Sequence, residues 1–210
     1  MSRSSARPLA KLAITVLVMT TAMIAGHPDR AHAEASAPFV TPAQDTDIRY
    51  EVTNPAGAAM HQRMRWQVAN LRQRLEPGDG EGADQTPTAY VVTNYKTGQA
   101  AMVDPAHHMV LDGAVPLEDF APPGTPAKGN WKKGGPEVIA GLACTDWSGR
   151  DLNGQETAFC YTPDGVLLGS SRDGKPLVRA LSVRHEAVPD AVFIIPAGFR
   201  HVSQPRGAAP

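Results

Sequence analysis

The chain has 210 residues, with 20 basic and 21 acidic side chains and only two cysteines. It has no block of basic residues, which makes nucleic acid or an anionic lipid surface a poor match as partner. No nucleophile, paired-acid or metal-ligand pattern marks it as an enzyme, so a non-enzymatic role is the expectation.

The first 33 residues read as a secretory signal. Arg3, Arg7 and Lys11 precede an apolar run from Leu12 to Ala25, and Ala31-His32-Ala33 supplies a small-x-small cleavage site. The run is shorter than the roughly 20 residues needed to span a bilayer. Cleavage after Ala33 and export to the periplasm, or secretion, are therefore expected, with a soluble mature chain. Without Arg3, Arg7, Lys11, Arg30 and Asp29, 16 basic side chains face 20 acidic ones, a net charge of −4. About 177 remaining residues suffice for one domain with a hydrophobic core.

Residues 34–45 are Pro- and Ala-rich and read as an extended linker. A domain over 46–202 follows. Ile48, Tyr50 and Val52 alternate with Asp47, Arg49 and Glu51, the pattern of a half-buried strand. Asn54-Pro55-Ala56-Gly57 is a turn. Met60, Met64, Trp66 and Val68 share a face, and the frame slips at Asn70. The spacing favours one long strand over 60–75 with a β-bulge, with a helix as the alternative. Residues 76–87 form a polar loop. AYVVTNY and AAMVD flank Lys96-Thr97-Gly98-Gln99 as a hairpin, with HHMVL extending or following it. Residues 112–135 hold Pro116, Pro122, Pro123 and Pro126 and predict a long irregular connection, with room for a short helical turn near Leu117–Phe120.

Strands resume at Val138. GLACTDW and TAFCYT flank Asn153-Gly154, a tight-turn signal. Cys144 and Cys160 each lie close to eight residues from Leu152, so the folded hairpin sets them opposite each other, and an even count in an exported chain reads as a disulfide. Further strands follow Pro163-Asp164-Gly165 and Asp173-Gly174. The apolar AVFIIPAGF closes the domain ahead of a polar tail, 203–210. Regular turn signals between β-rich runs predict an antiparallel meander.

The hairpin YVVTNYKTGQAAMVDP, the IAGLACTDW strand with its FCYTPDGVLL return, and the closing VFIIPAGF together resemble exported bacterial proteins of the LolA/LolB-like lipoprotein-localisation-factor superfamily, over roughly residues 46–202. The resemblance implies a mainly β, single-domain antiparallel curved sheet, a half-barrel with little helix here. It also implies a concave face able to hold acyl chains, with a lipid or an envelope lipoprotein as partner. No functional residue of that family matches a motif in this chain.

Among individual residues, Met60, Met64, Trp66, Tyr90, Val92 and Met102 are the candidates to line an apolar cavity. Ordinary core is the competing reading, since any β domain buries such a face. His107-His108 has no metal-ligand spacing around it, and no metal or other cofactor is expected. Gly78–Ala83 matches G-x-G-x-x-A without a strand–helix context, and Asp79 and Glu81 would repel a phosphate. Asp79, Glu81 and Asp84 lack a calcium-loop spacing. Asp146, Asp151 and Glu156 read as solvated acids around a hairpin. Arg63, Arg65, Arg72 and Arg74 form a basic stripe if the strand reading holds. The leading expectation is a periplasmic binding protein holding an apolar ligand or an envelope protein in its concavity. A structural or regulatory module with a filled core is the alternative, and a hydrolase comes third.

Overall fold

The computed structural model describes residues 36–77 and 89–203. Residues 1–35, which include the segment read as a secretory signal, the glycine- and acid-rich stretch 78–88 and the tail from 204 lie outside the described residues.

Among the described residues, twelve strands make up the domain: β1 Thr46–Thr53, β2 Ala59–Gln67, β3 Arg72–Pro77, β4 Tyr90–Asn94, β5 Gln99–Asp104, β6 Met109–Ala114, β7 Lys132–Ile139, β8 Leu142–Arg150, β9 Glu156–Tyr161, β10 Leu167–Arg172, β11 Lys175–Arg184 and β12 Arg200–Ser203. They form one sheet in the order β12-β6-β5-β4-β3-β2-β1-β11-β10-β9-β8-β7. The sheet is open and curved, the mainly β half-barrel expected from the sequence. Among the described residues the one helical element is a single 3-10 turn, Asp190–Phe193.

Two meanders, β1–β6 and β7–β11, meet where β1 pairs with β11. All ladders are antiparallel except β12–β6, which is parallel. That arrangement forces two long crossings. β6 lies next to one edge of the sheet and β7 is the other edge, so residues 115–131 must traverse a face. β11 sits mid-sheet and β12 beside β6, so residues 185–199 must traverse as well. The two segments take opposite faces.

The strand expected over 60–75 is corrected. Instead of one bulged strand, β2 and β3 form a hairpin, with Met64 opposite Leu75 and Arg65 opposite Arg74. The frame slip at Asn70 is the turn itself. Leu71 takes a left-handed conformation, φ 50°, that a leucine seldom adopts. No Gly or Pro announced this reversal.

Cys144 and Cys160 are bonded across β8–β9, with Cα atoms 5.4 Å apart. The directly opposed partner of Cys160 is Asp146, so the bridge runs diagonally, two residues out of the register that the sequence suggested. Diagonal positions share a face and lie within reach of each other.

The faces of β1–β6 follow from register, because these ladders run without a shift and side chains alternate along each strand. Ile48, Tyr50, Gln62, Met64, Trp66, Gln73, Leu75, Val91 and Met102 share one face, here called the inner. Asp47, Arg63, Arg65, Arg72, Arg74, Tyr90, Val92, Ala101, Val103 and Val110 share the outer. Each face carries its own core. The inner core centres on Ile48, Tyr50, Met64, Trp66 and Leu168, together with both cysteines. The outer core is Tyr90, Val92, Ala101, Val103 and Val110 under Val188 and Phe193 of the C-terminal crossing.

Candidate functional site

The inner face is covered by two segments. The Pro/Ala-rich lead, read from the sequence as a linker, is extended but not free of the domain: Ala37, Thr41 and Pro42 are buried. Trp66 Nε1 donates to the Pro42 carbonyl at 2.9 Å. The turn at Gly165 has φ +90°, and a Cβ there would lie 2.3 Å from the Thr41 carbonyl oxygen, so only glycine lets the lead pass this close. The connection 115–131 is the second cover. Thr41 Oγ1 donates to the Ala121 carbonyl at 2.7 Å, and the Ala127 amide donates to the Pro38 carbonyl at 2.8 Å, so the two covers are tied together. Phe120 stacks on Tyr95 at 4.6 Å between centroids, and Tyr95 meets Trp66 at 5.8 Å. Near Leu117–Phe120, where a helical turn had room to form, the chain makes a single turn, with the Phe120 amide bonded to the Leu117 carbonyl.

Beneath these covers is a cavity of about 280 Å³. Met64, Trp66, Leu75, Tyr95, Phe120 and Leu167 supply its apolar wall, and Tyr50, Gln62, Gln73 and Tyr161 its polar groups. Two of these groups are already engaged: Tyr50 Oη donates to the Leu167 carbonyl at 2.8 Å, and Gln73 Oε1 accepts from Tyr95 Oη at 3.2 Å. Burial pushes the Tyr50 and Tyr161 phenols well above their ordinary pKa, so both stay protonated and neutral.

The six sequence candidates do not converge. Met64 and Trp66 line the cavity. Met60 and Met102 are on the same face but 47% and 42% exposed, outside the cavity wall. Tyr90 and Val92 are buried on the outer face, because Val92 pairs with Arg74 and not with an inner residue. They belong to the outer core and lie away from the inner cavity. Alternation within each strand was legible in the sequence, but the pairing that relates one strand to the next was not. Tyr95, Phe120, Tyr161 and Leu167 were missed, since they come from a turn, a proline-rich connection and a distant hairpin. The YKTG turn and the length of the proline-rich connection were the available signals.

The outer face is built differently. Arg63, Arg65, Arg72 and Arg74 all lie on it, as the basic stripe required, but each meets an acid. Arg63 grips Asp47 with Nε and Nη2, at 2.9 and 2.5 Å. Arg65 and Arg74 share Glu76, and Arg72 pairs with Asp190. Arg74 also lies over the Tyr90 ring at 3.6 Å and donates to the Val192 carbonyl at 2.7 Å. These contacts hold the C-terminal crossing down. A second hollow of about 530 Å³ lies there, between Val92 and Ala101 on the sheet and Phe193 and Ile195 above. Its charged rim groups, Arg72 and Asp112, are already paired with Asp190 and His201.

His107 pairs with Asp104, and His108 stacks on Phe199, so the adjacent histidines serve a turn. Asp151 caps the β8–β9 turn through the Asn153 and Gln155 amides and pairs with Arg172. Glu137, Cys144 and Cys160 are the one group of three metal-type side chains close together among the described residues, and the disulfide occupies both thiols.

No family model and no curated protein matches the sequence. Among solved structures, the chain is similar to an uncharacterized conserved protein from Thermus thermophilus, at TM-score 0.54 and 9% identity, covering 77% of this chain and 91% of that one. That likeness is one of fold. The chain is also similar to MucB, at TM-score 0.49 and 14% identity, over 75% of this chain and 59% of MucB. In the Pseudomonas aeruginosa MucA/MucB complex the match is at TM-score 0.47 and 13% identity.

Proposed function

We propose that this is an exported, non-enzymatic envelope protein that binds a small apolar ligand in the inner cavity. The observation that carries the reading is the cavity beneath two tied covers, walled by Trp66, Tyr95 and Phe120. The space is partly open to solvent, so a ligand can reach it, and its described lining is uncharged, unlike the Arg72 and Asp112 rim of the outer hollow. Small-molecule sites typically measure about 300–1,000 Å³ and are mostly apolar with few polar groups. At about 280 Å³ this cavity sits at the lower edge, which favours a single chain or ring system over a lipid with several acyl chains.

N-phenyl-1-naphthylamine, which fluoresces on leaving water, tests the reading. The folded wild type should brighten the dye saturably. Leu75→Trp, which fills the cavity, should abolish the signal, while Leu181→Trp, at an exposed position, should keep it. Equal brightening by all three proteins would refute binding in this cavity.

A further inference from the structure

Among the described residues the cavity lining carries no charge. Its wall consists of apolar, aromatic, hydroxyl and amide side chains, with no Lys, Arg, Asp, Glu or His among its lining residues. The cations of β2 and β3 point to the opposite face, because Arg63 and Arg65 alternate with Gln62, Met64 and Trp66 along β2, and Arg72 and Arg74 with Gln73 and Leu75 along β3. Register thus keeps every guanidinium of these strands one sheet-thickness away. The environment is one of low polarity, since burial alone raises Tyr161 and is the main cause at Tyr50. A carboxylate or phosphate brought here would be desolvated without a counter-charge, which costs far more than burying a neutral polar group that finds a partner.

Such partners exist. Among the described residues, neither the Tyr161 hydroxyl nor the Gln62 amide has a hydrogen-bond partner, and both residues line the cavity. Tyr50, between Gln62 on β2 and the β9–β10 hairpin, is committed to Leu167. Both residues are half-buried and neither group is a fully buried orphan, so each is open to the cavity, where a ligand's polar group can take the place of water.

We infer that the inner cavity selects an uncharged amphiphile, an apolar chain or ring bearing one hydroxyl, carbonyl or amide group, held at that group by Tyr161 and Gln62. This rests on the ligand-binding reading above and specifies its chemistry. Free fatty acids and phosphate-bearing headgroups are excluded from the cavity by their charge, not by their apolar part.

The test uses three ligands with the same ten-carbon chain, 1-decanol, decanamide and decanoate, each displacing N-phenyl-1-naphthylamine at about pH 7, where a carboxylic acid is ionised. Decanol and decanamide should displace the dye, and decanoate should be at least about tenfold weaker. Tyr161→Phe removes a hydroxyl that bonds no described residue, so its unfolding midpoint should match the wild type. It should nevertheless weaken decanol and decanamide by about three- to tenfold, as expected for one neutral hydrogen bond. Gln62→Leu should do the same to decanamide. Decanoate as strong as decanol would overturn the selection for neutral ligands while leaving cavity binding intact. Full affinity in both variants would overturn the assignment of the anchors. A dye that fails to bind the wild type would remove the ligand-binding reading itself and this inference with it.

Discussion

Asp47 shows how a single side chain can fix the outer face. It is 4% exposed and receives Arg63 from β2 and Arg184 from β11, so it joins the two strands that flank its own. Burial by itself would raise its pKa, but hydrogen bonds from the two guanidiniums and their charge outweigh burial and hold the carboxyl below its usual range. A carboxyl whose folded pKa is depressed contributes stability that is full above the unfolded value, about 4, and is lost as pH falls through the folded value. Arg63→Gln and Arg184→Gln each remove part of that depression. Both variants should therefore unfold at a higher pH than wild type in an acid titration followed by circular dichroism, with the gap closing where Asp47 is protonated in every form. Acid profiles that superimpose would show that Asp47 is not a stabilising anion.

At the scale of elements, the β8–β9 hairpin is the best-specified unit. Its turn is closed by Asp151, which accepts from the Asn153 and Gln155 amides, and Gly154 takes φ +74° where a side chain would be strained. The disulfide then pins the hairpin where both cysteines enter the inner core. Closing a loop of this length stabilises by about 3 kcal/mol, chiefly through the unfolded chain. In a domain of this size that corresponds to about 6–12 °C in the unfolding midpoint. Cys144→Ser should lose that amount under oxidising conditions and nothing more on adding a reductant, whereas wild type should fall to the variant's level. An unchanged midpoint in both comparisons would show that the bridge does not stabilise the fold.

This hairpin was legible because Asn153-Gly154 names its own turn and the cysteine spacing agrees with it. Even so, the bridge proved diagonal, since the turn over residues 151–155 shifts the register by two relative to the simplest count. The β2–β3 reversal was not legible. Residues 68–71 carry neither Gly nor Pro, and Leu71 accepts a left-handed backbone that local preference disfavours, so the alternation read through the turn as a bulge. Tertiary pairing overrode the local signal. The same cause split the candidate site, because a one-residue difference in pairing decides which face a whole strand presents.

For the whole molecule, the organising fact is that both faces of one curved sheet are covered by chain that must cross it. The connection 115–131 and the lead 36–45 roof the inner face. Residues 185–199 close the outer face through Asp190, Val188 and Val192, and Asp45 joins the Val68 and Val188 amides at 2.8 and 2.9 Å. The length and proline content of the first connection marked it as irregular, but its course over the sheet depends on strand order, which composition does not encode. The outer core buries Val103 and Val110 fully, and the hollow beside it is rimmed by the charged pairs of Arg72 and Asp112. The inner face keeps a cavity walled by Trp66, Tyr95 and Phe120 with no charged residue among its described lining, and the functional reading follows from that contrast.

Native mass spectrometry of a protein comprising residues 34–210, purified without detergent, tests the contrast most directly. The protein should carry a reproducible non-covalent adduct that organic extraction removes and that Leu75→Trp, produced alongside, lacks. A bare mass for wild type, or the same adduct on the filled variant, would contradict a ligand in the inner cavity.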